Sequence, residues 1–308
     1  MSKMLEGKVA VVTGAGGAIG GEIAKMMAAE GASVVVNDLG GSVSGDGGDE
    51  KPARDIVAFI EDNGGKAIPH FGSVADRKDS EDMIKTAMDV YGKVDVVVNN
   101  AGILRDVIFH KMSQPDWQMV LDVHLTGSFN VARSAAPYFR EQGSGSFVHF
   151  TSTSGLIGNF GQANYGAAKA AMMGLMNVLH LEGARDNIRV NTLAPTAATR
   201  MTEKLMPPEA LELLDPATIT PGVLYLVSED APSRVILGAG AGSFAVTKVY
   251  ETLGETLTGD DLTPEGVAAA FEKISDPEGQ QELTQAFHQT QKYTRNAAEA
   301  KGLKLDWG

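Results

Sequence analysis

The 308-residue sequence predicts an α/β fold, a doubly wound parallel sheet covered by helices on both faces, with a C-terminal extension. Three observations predict it. Short apolar runs alternate with amphipathic stretches along most of the chain, as in repeated strand, helix, strand units. Runs such as Val34–Val36 and Val96–Val98 are apolar on both strand faces, which is typical of buried parallel strands. A glycine-rich turn, Gly14–Gly20, joins the first such run to the first helix.

The elements follow in chain order. Strands are predicted at Val9–Thr13, Ser33–Asp38, Ala67–His70, Val94–Asn99, Phe147–Thr151, Ile188–Leu193 and near Val235–Leu237. Helices are predicted at the amphipathic stretches Gly20–Glu30, Ala53–Asn63, Asp79–Tyr91 and Ser128–Gln142. A glycine-rich acidic loop at 40–50 and an excursion with short helices at 196–220 interrupt the alternation, and we expect the excursion to be mobile. Residues 1–242 are therefore expected to form one domain.

Residues 243–308 extend beyond the last expected strand. Thr263-Pro264-Glu265 is typical of a helix start, with proline in the first turn. Apolar faces in this region come from Phe271, Ile274, Leu283 and Phe287. We therefore expect the extension to dock on the domain or across a dimer.

Composition limits the classes of function. The net charge of −13, from 39 acidic and 26 basic residues, argues against general nucleic-acid binding. No apolar run is as long as a membrane span, and the Met-Ser-Lys start lacks a signal-peptide core. The absence of cysteine excludes disulfides, thiolate nucleophiles and cysteine-ligated metals, and no metal site is predicted. These features fit a cytoplasmic protein.

The turn Gly14–Gly20 predicts an anion site, because free backbone N–H groups and the helix dipole face a pyrophosphate there. Asp38 ends the next strand eighteen residues after Gly20, where a carboxylate can accept hydrogen bonds from an adenosine ribose. No arginine or lysine occurs in the ten residues after Asp38, so NAD is favoured over NADP. The alternative that Asp38 only caps a loop stays open. Small residues after the fourth strand, Asn99–Gly102, let a cofactor approach the backbone.

Ser152, Tyr165 and Lys169 lie within eighteen residues. The Tyr-to-Lys interval of four places both side chains on one helix face, where an ammonium is expected to lower the tyrosine pKa towards neutrality. Such a phenol can exchange a proton with a hydroxyl or carbonyl, and Ser152, at a strand end, can hydrogen-bond the same oxygen. A solvated lysine beside a half-buried tyrosine is the alternative for the pair alone, and the nucleotide turn favours catalysis.

These motifs resemble the short-chain dehydrogenase/reductase family over roughly residues 7–245. They are Thr13-Gly14-x-x-x-Ala18-Ile19-Gly20, Asn99–Gly102, Ser152, Tyr165-x-x-x-Lys169 and Ala194-Pro195. The resemblance implies a Rossmann fold and hydride transfer at a nicotinamide, with Tyr165 as acid/base, Ser152 orienting the substrate oxygen and Lys169 holding the ribose. It also implies cofactor contacts from Gly14, Ile19, Gly20, Asp38, Ser73, Val74, Asn100, Ala101, Gly102, Tyr165, Lys169, Pro195, Ala197, Ala198 and Thr199.

Further stretches resemble one branch, the (3R)-hydroxyacyl-CoA dehydrogenase domain of peroxisomal multifunctional enzyme type 2, also called 17β-hydroxysteroid dehydrogenase type 4. They are Asn37–Gly41, Gly102–Asp106, Val123–Phe129, Gly158–Tyr165 and Arg200–Thr202. The resemblance implies NAD-dependent oxidation of a (3R)-3-hydroxyacyl-CoA to the 3-ketoacyl-CoA. Alternatives are a 17β-hydroxysteroid dehydrogenase, a 3-ketoacyl reductase of lipid synthesis, which Asp38 opposes, and a cofactor-bound scaffold without catalysis.

The sequence departs from the family pattern at three positions. Ala18 replaces the middle glycine of the first motif, and Gly72 replaces an aspartate near the adenine, so Ser73 and Val74 are expected to make that contact. His124 stands where most relatives carry a catalytic asparagine, and its backbone carbonyl is expected to hold a relay water.

Two expectations concern partners. Arg105, Lys111, Arg200 and Lys204 are candidates to meet CoA phosphates, although solvated surface charge explains each of them alone better. Relatives are dimers or tetramers, and the helix after Tyr165 carries an apolar face suited to self-association, formed by Ala170, Met172, Met173 and Met176. A homodimer is favoured over a tetramer, although a buried core face would have the same composition.

Overall fold

The computed structural model describes residues 3–198 and 207–305. The chain divides into two compact units, Met1–Val246 and Thr247–Gly308. The strands of the sheet are β1 Val9–Thr13, β2 Ser33–Asn37, β3 Lys66–His70, β4 Val96–Asn99, β5 Gly145–Phe150, β6 Ile188–Thr196, β7 Ile236–Gly240 and β8 Ser243–Thr247. The helices of the first unit are α1 Ala18–Ala29, α2 Lys51–Asp62, α3 Arg77–Tyr91, α4 Gln114–Leu121, α5 Gly127–Gln142, α6 Thr153–Leu156, α7 Ala163–Gly183, α8 Pro208–Leu213 and α9 Thr220–Val227.

The strands form one sheet in the order β3-β2-β1-β4-β5-β6-β7-β8, and the pairs from β3 to β7 are parallel. Strand order reverses between β1 and β4, so the connections leave these two strands in opposite directions. In open α/β sheets, ligands bind outside the carboxyl ends of the strands at such a reversal. The predicted doubly wound fold is confirmed.

The apolar strands explain why the sheet is buried on both faces. Val34 and Val36 belong to one apolar layer, with α1 and α9, whereas Val35 belongs to the other layer, with α3 and α5. The side chains of a strand alternate between its faces, so a run of valines supplies both layers at once. The continuous apolar runs seen in the sequence are therefore the signature of this two-sided burial.

One strand is absent from the sequence prediction. β7 and β8 are joined by a two-residue turn in which Ala241 and Gly242 have φ angles of 49° and 72°. A two-residue loop with two positive φ angles reverses the chain into a hairpin, but alanine rarely adopts such a φ and is not a turn signal. β8 is solvent-exposed along its length, so it lacked the buried apolar pattern that marked the other strands.

The apolar face expected for self-association belongs in part to the core. Met172 and Met176, on α7, are each 1% exposed and pack in the interior. The argument for a dimer from these two methionines is therefore wrong, although Val178 and Leu181 of the same helix are exposed. The homodimer itself stays a prediction.

The second unit contains two longer helices, α10 Pro264–Ile274 and α11 Ala286–Ala300. The side chain of Thr263 caps α10 by accepting a hydrogen bond from the N–H of Gly266 at 3.0 Å, which confirms the predicted helix start. Lys292 of α11 pairs with Glu251 at 2.8 Å, which ties the helix to the start of the unit. Docking of the extension stays a prediction. Among the described residues, no helix has both the length and the apolar character needed to cross a membrane.

The packing of β5 generates a stability prediction. A Cβ atom on Gly145 would lie 2.1 Å from Cδ2 of the fully buried Phe139. Replacement of Gly145 with alanine is expected to lower the free energy of unfolding by about 1–3 kcal/mol, because a filled core must shift to admit the methyl group. Gly174→Ala, in α7 with open space around its Cβ position, is the matched control and is expected to stabilise by about 0.5–1 kcal/mol. Urea unfolding measures both, and an equal effect at the two positions would contradict the packing argument.

Candidate active site

A cleft that is open to solvent lies at the carboxyl ends of the strands where the strand order reverses. Most of the site residues predicted from the sequence line it, namely Gly14, Ile19, Gly20, Asp38, Ser73, Val74, Asn100, Ala101, Gly102, Tyr165, Lys169 and Pro195. Ala197 is buried, and the N–H of Ala198 bonds to the carbonyl of Leu214 at 2.7 Å; neither residue lines the cleft. Thr199 lies outside the described residues.

The turn between β1 and α1 has the geometry of a pyrophosphate site. Gly14 has a φ of 65°, and a Cβ on Gly20 would lie 2.3 Å from the carbonyl oxygen of Gly14, so both positions require glycine. The amide of Asn100 donates to the carbonyls of Thr13 at 3.0 Å and Gly14 at 3.1 Å, which holds the turn to β4. The N-cap of α1, Gly17, makes no side-chain capping bond, so the helix N-terminus is left to a ligand anion. These residues fit a dinucleotide.

Asp38 follows β2 and lines the same cleft. Its carboxylate accepts hydrogen bonds from the N–H of Gly16 at 2.8 Å and from the N–H of Gly40 at 2.6 Å. Asp38 thus caps the loop, as the alternative interpretation proposed, and these bonds also fix its carboxylate beside the glycine-rich turn. The two interpretations are compatible.

The side chains of Tyr165 and Lys169 project from α7 towards the end of β5. The Nζ atom of Lys169 donates to the carbonyl of Phe150 at 2.7 Å and lies 5.6 Å from the centroid of the Tyr165 ring. The Thr151 hydroxyl donates to the carbonyl of Lys169 at 2.7 Å. Ser152 is 9% exposed, and its side chain interacts with the Tyr165 hydroxyl. The predicted trio is therefore brought together.

The electrostatics of this trio differ from the prediction. Burial lowers the pKa of Lys169 to about 7. Burial raises the pKa of Tyr165, and the charge of Asp106 raises it further, while the hydrogen bond with Ser152 acts in the opposite direction. The prediction that Lys169 lowers the tyrosine pKa is wrong for this arrangement, because the buried amine holds its own proton weakly and donates to Phe150 instead.

His124 lies in a π-helical turn, Asp122–Thr126, between α4 and α5. Its Nε2 atom is 2.8 Å from the carbonyl oxygen and 3.0 Å from the nitrogen of Ile103. Its ring meets the Tyr165 ring edge to face at a centroid distance of 5.1 Å. A Cβ on Gly102 would lie 2.3 Å from Cε1 of His124, so this glycine makes room for the imidazole. His124 therefore packs as a wedge between the end of β4 and the tyrosine.

The imidazole of His124 is held neutral. Burial lowers its pKa well below the usual value, and the charge of Lys169 acts in the same direction. The carbonyl of His124, which was expected to hold a relay water, accepts a hydrogen bond from the Ser128 hydroxyl at 2.7 Å. A carbonyl oxygen has a second lone pair, so the relay water stays a prediction.

Gly72 has no room for a side chain. A Cβ there would lie 2.6 Å from Cε1 of His70 and 2.7 Å from Cβ of Asp79. The carboxylate of Asp79 accepts the N–H of Ser73 at 2.8 Å and fixes this part of the cleft wall. The contact of Ser73 and Val74 with an adenine stays a prediction.

Arg105 is not a free phosphate-binding group. It donates to the carbonyl of Ser44 at 2.8 Å and pairs with Asp116 at 3.1 Å and Asp46 at 3.2 Å. The arginine thus joins the acidic loop at 40–50 to α4, and its contact with CoA phosphates stays a prediction. Lys111 is exposed, and Arg200 and Lys204 lie outside the described residues.

A polar cluster that sequence reasoning missed lies beside the trio. Gln162 donates from Nε2 to Asp106 at 2.7 Å, and its Oε1 accepts from the hydroxyl of Ser154 at 2.7 Å and the amide of Asn159 at 3.0 Å. The N–H of Ser154 in turn donates to the Ser152 hydroxyl oxygen at 3.2 Å. Burial raises the pKa of Asp106. The stretches Gly102–Asp106 and Gly158–Tyr165 contain three of these residues, Asp106, Asn159 and Gln162, but nothing in their spacing signals contact.

Residues 8–210 match the short chain dehydrogenase family, and the chain belongs to it. It is an oxidoreductase of the short-chain dehydrogenase type.

Curated relatives are consistent with this assignment. The chain is 49% identical over 278 residues to a Mycobacterium tuberculosis protein named as a short-chain type dehydrogenase/reductase, covering 89% of this chain and 96% of that protein. It is 43% identical over 274 residues to peroxisomal multifunctional enzyme type 2 of Mus musculus, covering 88% of this chain and 37% of the mouse protein. A 3-oxoacyl-[acyl-carrier-protein] reductase of Thermotoga maritima is 36% identical, covering 74% of this chain and 93% of that protein.

Solved structures agree. Full-length peroxisomal multifunctional enzyme type 2 from Drosophila melanogaster matches with a TM-score of 0.80 and 33% identity, over 96% of this chain and 50% of that chain. A 7α-hydroxysteroid dehydrogenase complexed with NADH and 7-oxo glycochenodeoxycholic acid matches with a TM-score of 0.70 and 29% identity, over 79% of this chain and 96% of that chain. The chain thus spans half or less of these two multifunctional enzymes.

The burial of Lys169 generates a pH prediction. Its pKa is about 7 in the folded protein against an ordinary value of 10.5, so between these pH values the unfolded state binds one more proton. The free energy of unfolding therefore rises with pH across this window, by about 1.4 kcal/mol per pH unit from this group. Urea unfolding of the wild type and of Lys169→Met at pH 7, 8 and 9 is expected to show the wild type gaining stability over the variant as pH rises. Parallel curves would show that the buried amine keeps its ordinary pKa.

Proposed function

We propose that this chain catalyses the NAD-dependent oxidation of a (3R)-3-hydroxyacyl-CoA to the 3-ketoacyl-CoA. The observation that carries the proposal is the meeting of Tyr165, Lys169 and the glycine-rich turn in one cleft, in a chain that shares 43% identity with a peroxisomal multifunctional enzyme type 2. Similarity along most of the chain supports a shared substrate class better than the family motifs alone.

NAD is the cofactor. Gly14 and Gly20 would hold its pyrophosphate at the N-terminus of α1, and Asp38 would accept hydrogen bonds from the adenosine ribose. Among the described residues that line the cleft, Lys169 is the only lysine or arginine, so this lining provides no cation beside Asp38. A 2′-phosphate would therefore meet an unopposed carboxylate, which disfavours NADP. When bound, NAD accepts the hydride that leaves the carbinol carbon.

Tyr165 lines the cleft with the side chain of Ser152 beside its hydroxyl group, and it takes the proton of the substrate hydroxyl. Because burial raises the pKa of Tyr165, its own hydroxyl proton leaves as the substrate proton arrives. Ser152 donates a hydrogen bond to the same substrate oxygen and orients it. Lys169 supplies a proton-holding amine with a pKa of about 7, suited to passing on the proton that Tyr165 removes. His124 keeps the tyrosine ring in place from the other side.

Exposed apolar side chains on the segment between Ser152 and Tyr165 and on the segment joined to it support an apolar acyl chain as substrate. Ile157 and Phe160, between Ser152 and Tyr165 in the sequence, are 85% and 84% exposed. The carbonyl of Gly161 accepts the N–H of Val107 at 2.9 Å, which joins this segment to the one carrying Phe109, another exposed side chain. Apolar groups beside a cleft are typical of a ligand-binding surface.

Two other substrates have specific support. The hydroxysteroid dehydrogenase neighbour favours a steroid alcohol, and the acyl-carrier-protein reductase relative favours ketoacyl reduction. The charge of Asp38 disfavours ketoacyl reduction, because reductive lipid synthesis commonly uses NADPH.

The assembly and the domain organisation are also proposals. We propose a homodimer in which residues 1–242 form the catalytic domain and residues 243–308 an appended region.

A substrate panel tests the proposed reaction. With NAD, the purified protein is expected to produce NADH from (3R)-3-hydroxyacyl-CoA esters with a higher kcat/KM than from (3S) esters or steroid alcohols. Absorbance at the NADH band gives each rate. A panel in which only steroid alcohols react would replace the proposed substrate.

Tyr165→Phe is the control for that panel. The variant lacks only the hydroxyl group, so NADH binding measured by fluorescence is expected to persist while kcat falls by at least about 100-fold.

Cofactor choice gives a further prediction. The wild type is expected to favour NAD over NADP in kcat/KM by more than about tenfold, since a single uncompensated charge contact is worth at least about 1.4 kcal/mol. Asp38→Ser, which removes the negative charge, is expected to reduce this preference and to weaken NADH binding. Comparable values for both cofactors in the wild type would defeat the assignment of Asp38.

A further inference from the structure

Asp106 lies at the edge of the reacting site, outside the catalytic trio. A continuous set of hydrogen bonds leads to it from the Ser152 hydroxyl through Ser154 and Gln162. Gln162 is the N-cap residue of α7, three positions before Tyr165, and it is 8% exposed. Its amide donates to one carboxylate oxygen of Asp106 at 2.7 Å, so the carboxylate is held in a fixed place, and its charge acts on Tyr165.

Within residues 3–198 and 207–305, Asp106 is held by Gln162 and forms no ion pair with a lysine or arginine. Its chain neighbour Arg105 is taken up by Asp46 and Asp116. Lys169 donates to Phe150 from a buried position that favours the neutral amine. Among the described residues that line the cleft, no other lysine or arginine is present. A substrate carboxylate held near the reacting carbon would therefore meet a fixed like charge with no described counter-ion.

A free 3-hydroxy acid carries such a carboxylate two bonds from its carbinol carbon, whereas the thioester of the same acid is neutral at that position. Like charges a few ångströms apart repel, and building a repulsion against the wrong ligand is a common source of specificity. The two ligand forms otherwise share the hydroxyl group, the stereocentre and the alkyl chain.

We propose that Asp106 is a specificity-determining residue that rejects free 3-hydroxy acids, so that the enzyme oxidises 3-hydroxyacyl groups only when their carboxyl group is masked as a thioester. This inference rests on the proposed function and adds to it the residue that excludes the free acid. A purely structural role for Asp106, as a partner of Gln162 at the N-terminus of α7, would leave the discrimination unchanged when the charge is removed.

The test compares (3R)-3-hydroxybutyrate with its N-acetylcysteamine thioester, a neutral probe without the phosphates of CoA, using NAD at pH 8. For Asp106→Asn, the ratio of kcat/KM for thioester to that for free acid is expected to fall by about tenfold relative to the wild type at low salt. Asp106→Glu restores the carboxylate and is expected to restore most of the ratio. Asp62→Asn, an exposed aspartate at the end of α2, changes the net charge equally and is expected to leave the ratio unchanged.

Salt gives a second measurement that needs no variant. Salt screens the repulsion between exposed charges, and raising it to 0.5 M shortens the Debye length to about half its low-salt value or less. The wild-type ratio is therefore expected to fall, whereas the Asp106→Asn ratio is expected to stay nearly constant. Melting temperatures of all variants show whether the fold is kept.

The outcomes separate the two proposals. If the wild type oxidises the thioester but the ratio is the same in Asp106→Asn and at both salt concentrations, the role of Asp106 is overturned while the proposed function stands. If the wild type oxidises neither compound, nor any 3-hydroxyacyl-CoA ester, the proposed function is overturned and the role of Asp106 falls with it.

Discussion

The site depends on the docking of α7 against the end of β5. Two hydrogen bonds of 2.7 Å cross this junction, from the Lys169 amine to the Phe150 carbonyl and from the Thr151 hydroxyl to the Lys169 carbonyl. A Cβ on Gly155 would lie 2.6 Å from the backbone nitrogen of Ala170, so α6 touches α7 without a side chain between them at this position. Because Ser152 and Tyr165 flank this junction, their mutual placement follows from it. The lysine is thus first a structural anchor, and its burial at this junction lowers its pKa.

On the opposite side of the Tyr165 ring, a position without a side chain makes room for a large one. Gly102 leaves the space that the His124 imidazole fills, and the imidazole then supports the Tyr165 ring. A buried polar atom without a partner costs about 1–3 kcal/mol, and Nδ1 of His124 is such an atom among the described residues. π-Helical turns are rare in proteins overall, but those that occur are frequently found at functional sites. The turn that carries His124 therefore agrees with a wall whose shape serves ligand binding more than stability.

Sequence reasoning succeeded where a pattern has a local cause. The apolar strands, the turn at Gly14–Gly20 and the four-residue interval between Tyr165 and Lys169 are each dictated by periodicity or backbone sterics, and each was located correctly. It failed where contact joins distant segments. The pairing of Arg105 with Asp46, the burial of Met172 and Met176, and the contact of Gln162 with Asp106 arise from tertiary packing, which leaves no periodic mark. The prediction of a lowered Tyr165 pKa failed for the same reason, because the burial of its hydroxyl group raises this pKa.

Under the proposed function, an acidic protein binds an anionic substrate. Net charge of −13 disfavours any anion at long range, yet the groups at the site handle charge in distinct ways. Asp38 is held by two backbone N–H groups, Arg105 is neutralised by two carboxylates, and Lys169 is buried. Under the proposed role of Asp106, its carboxylate is then the charge that repels a substrate carboxylate at this end of the site. A substrate whose carboxyl group is neutral is then favoured, because the fold has already paired or buried the other charged groups of the site.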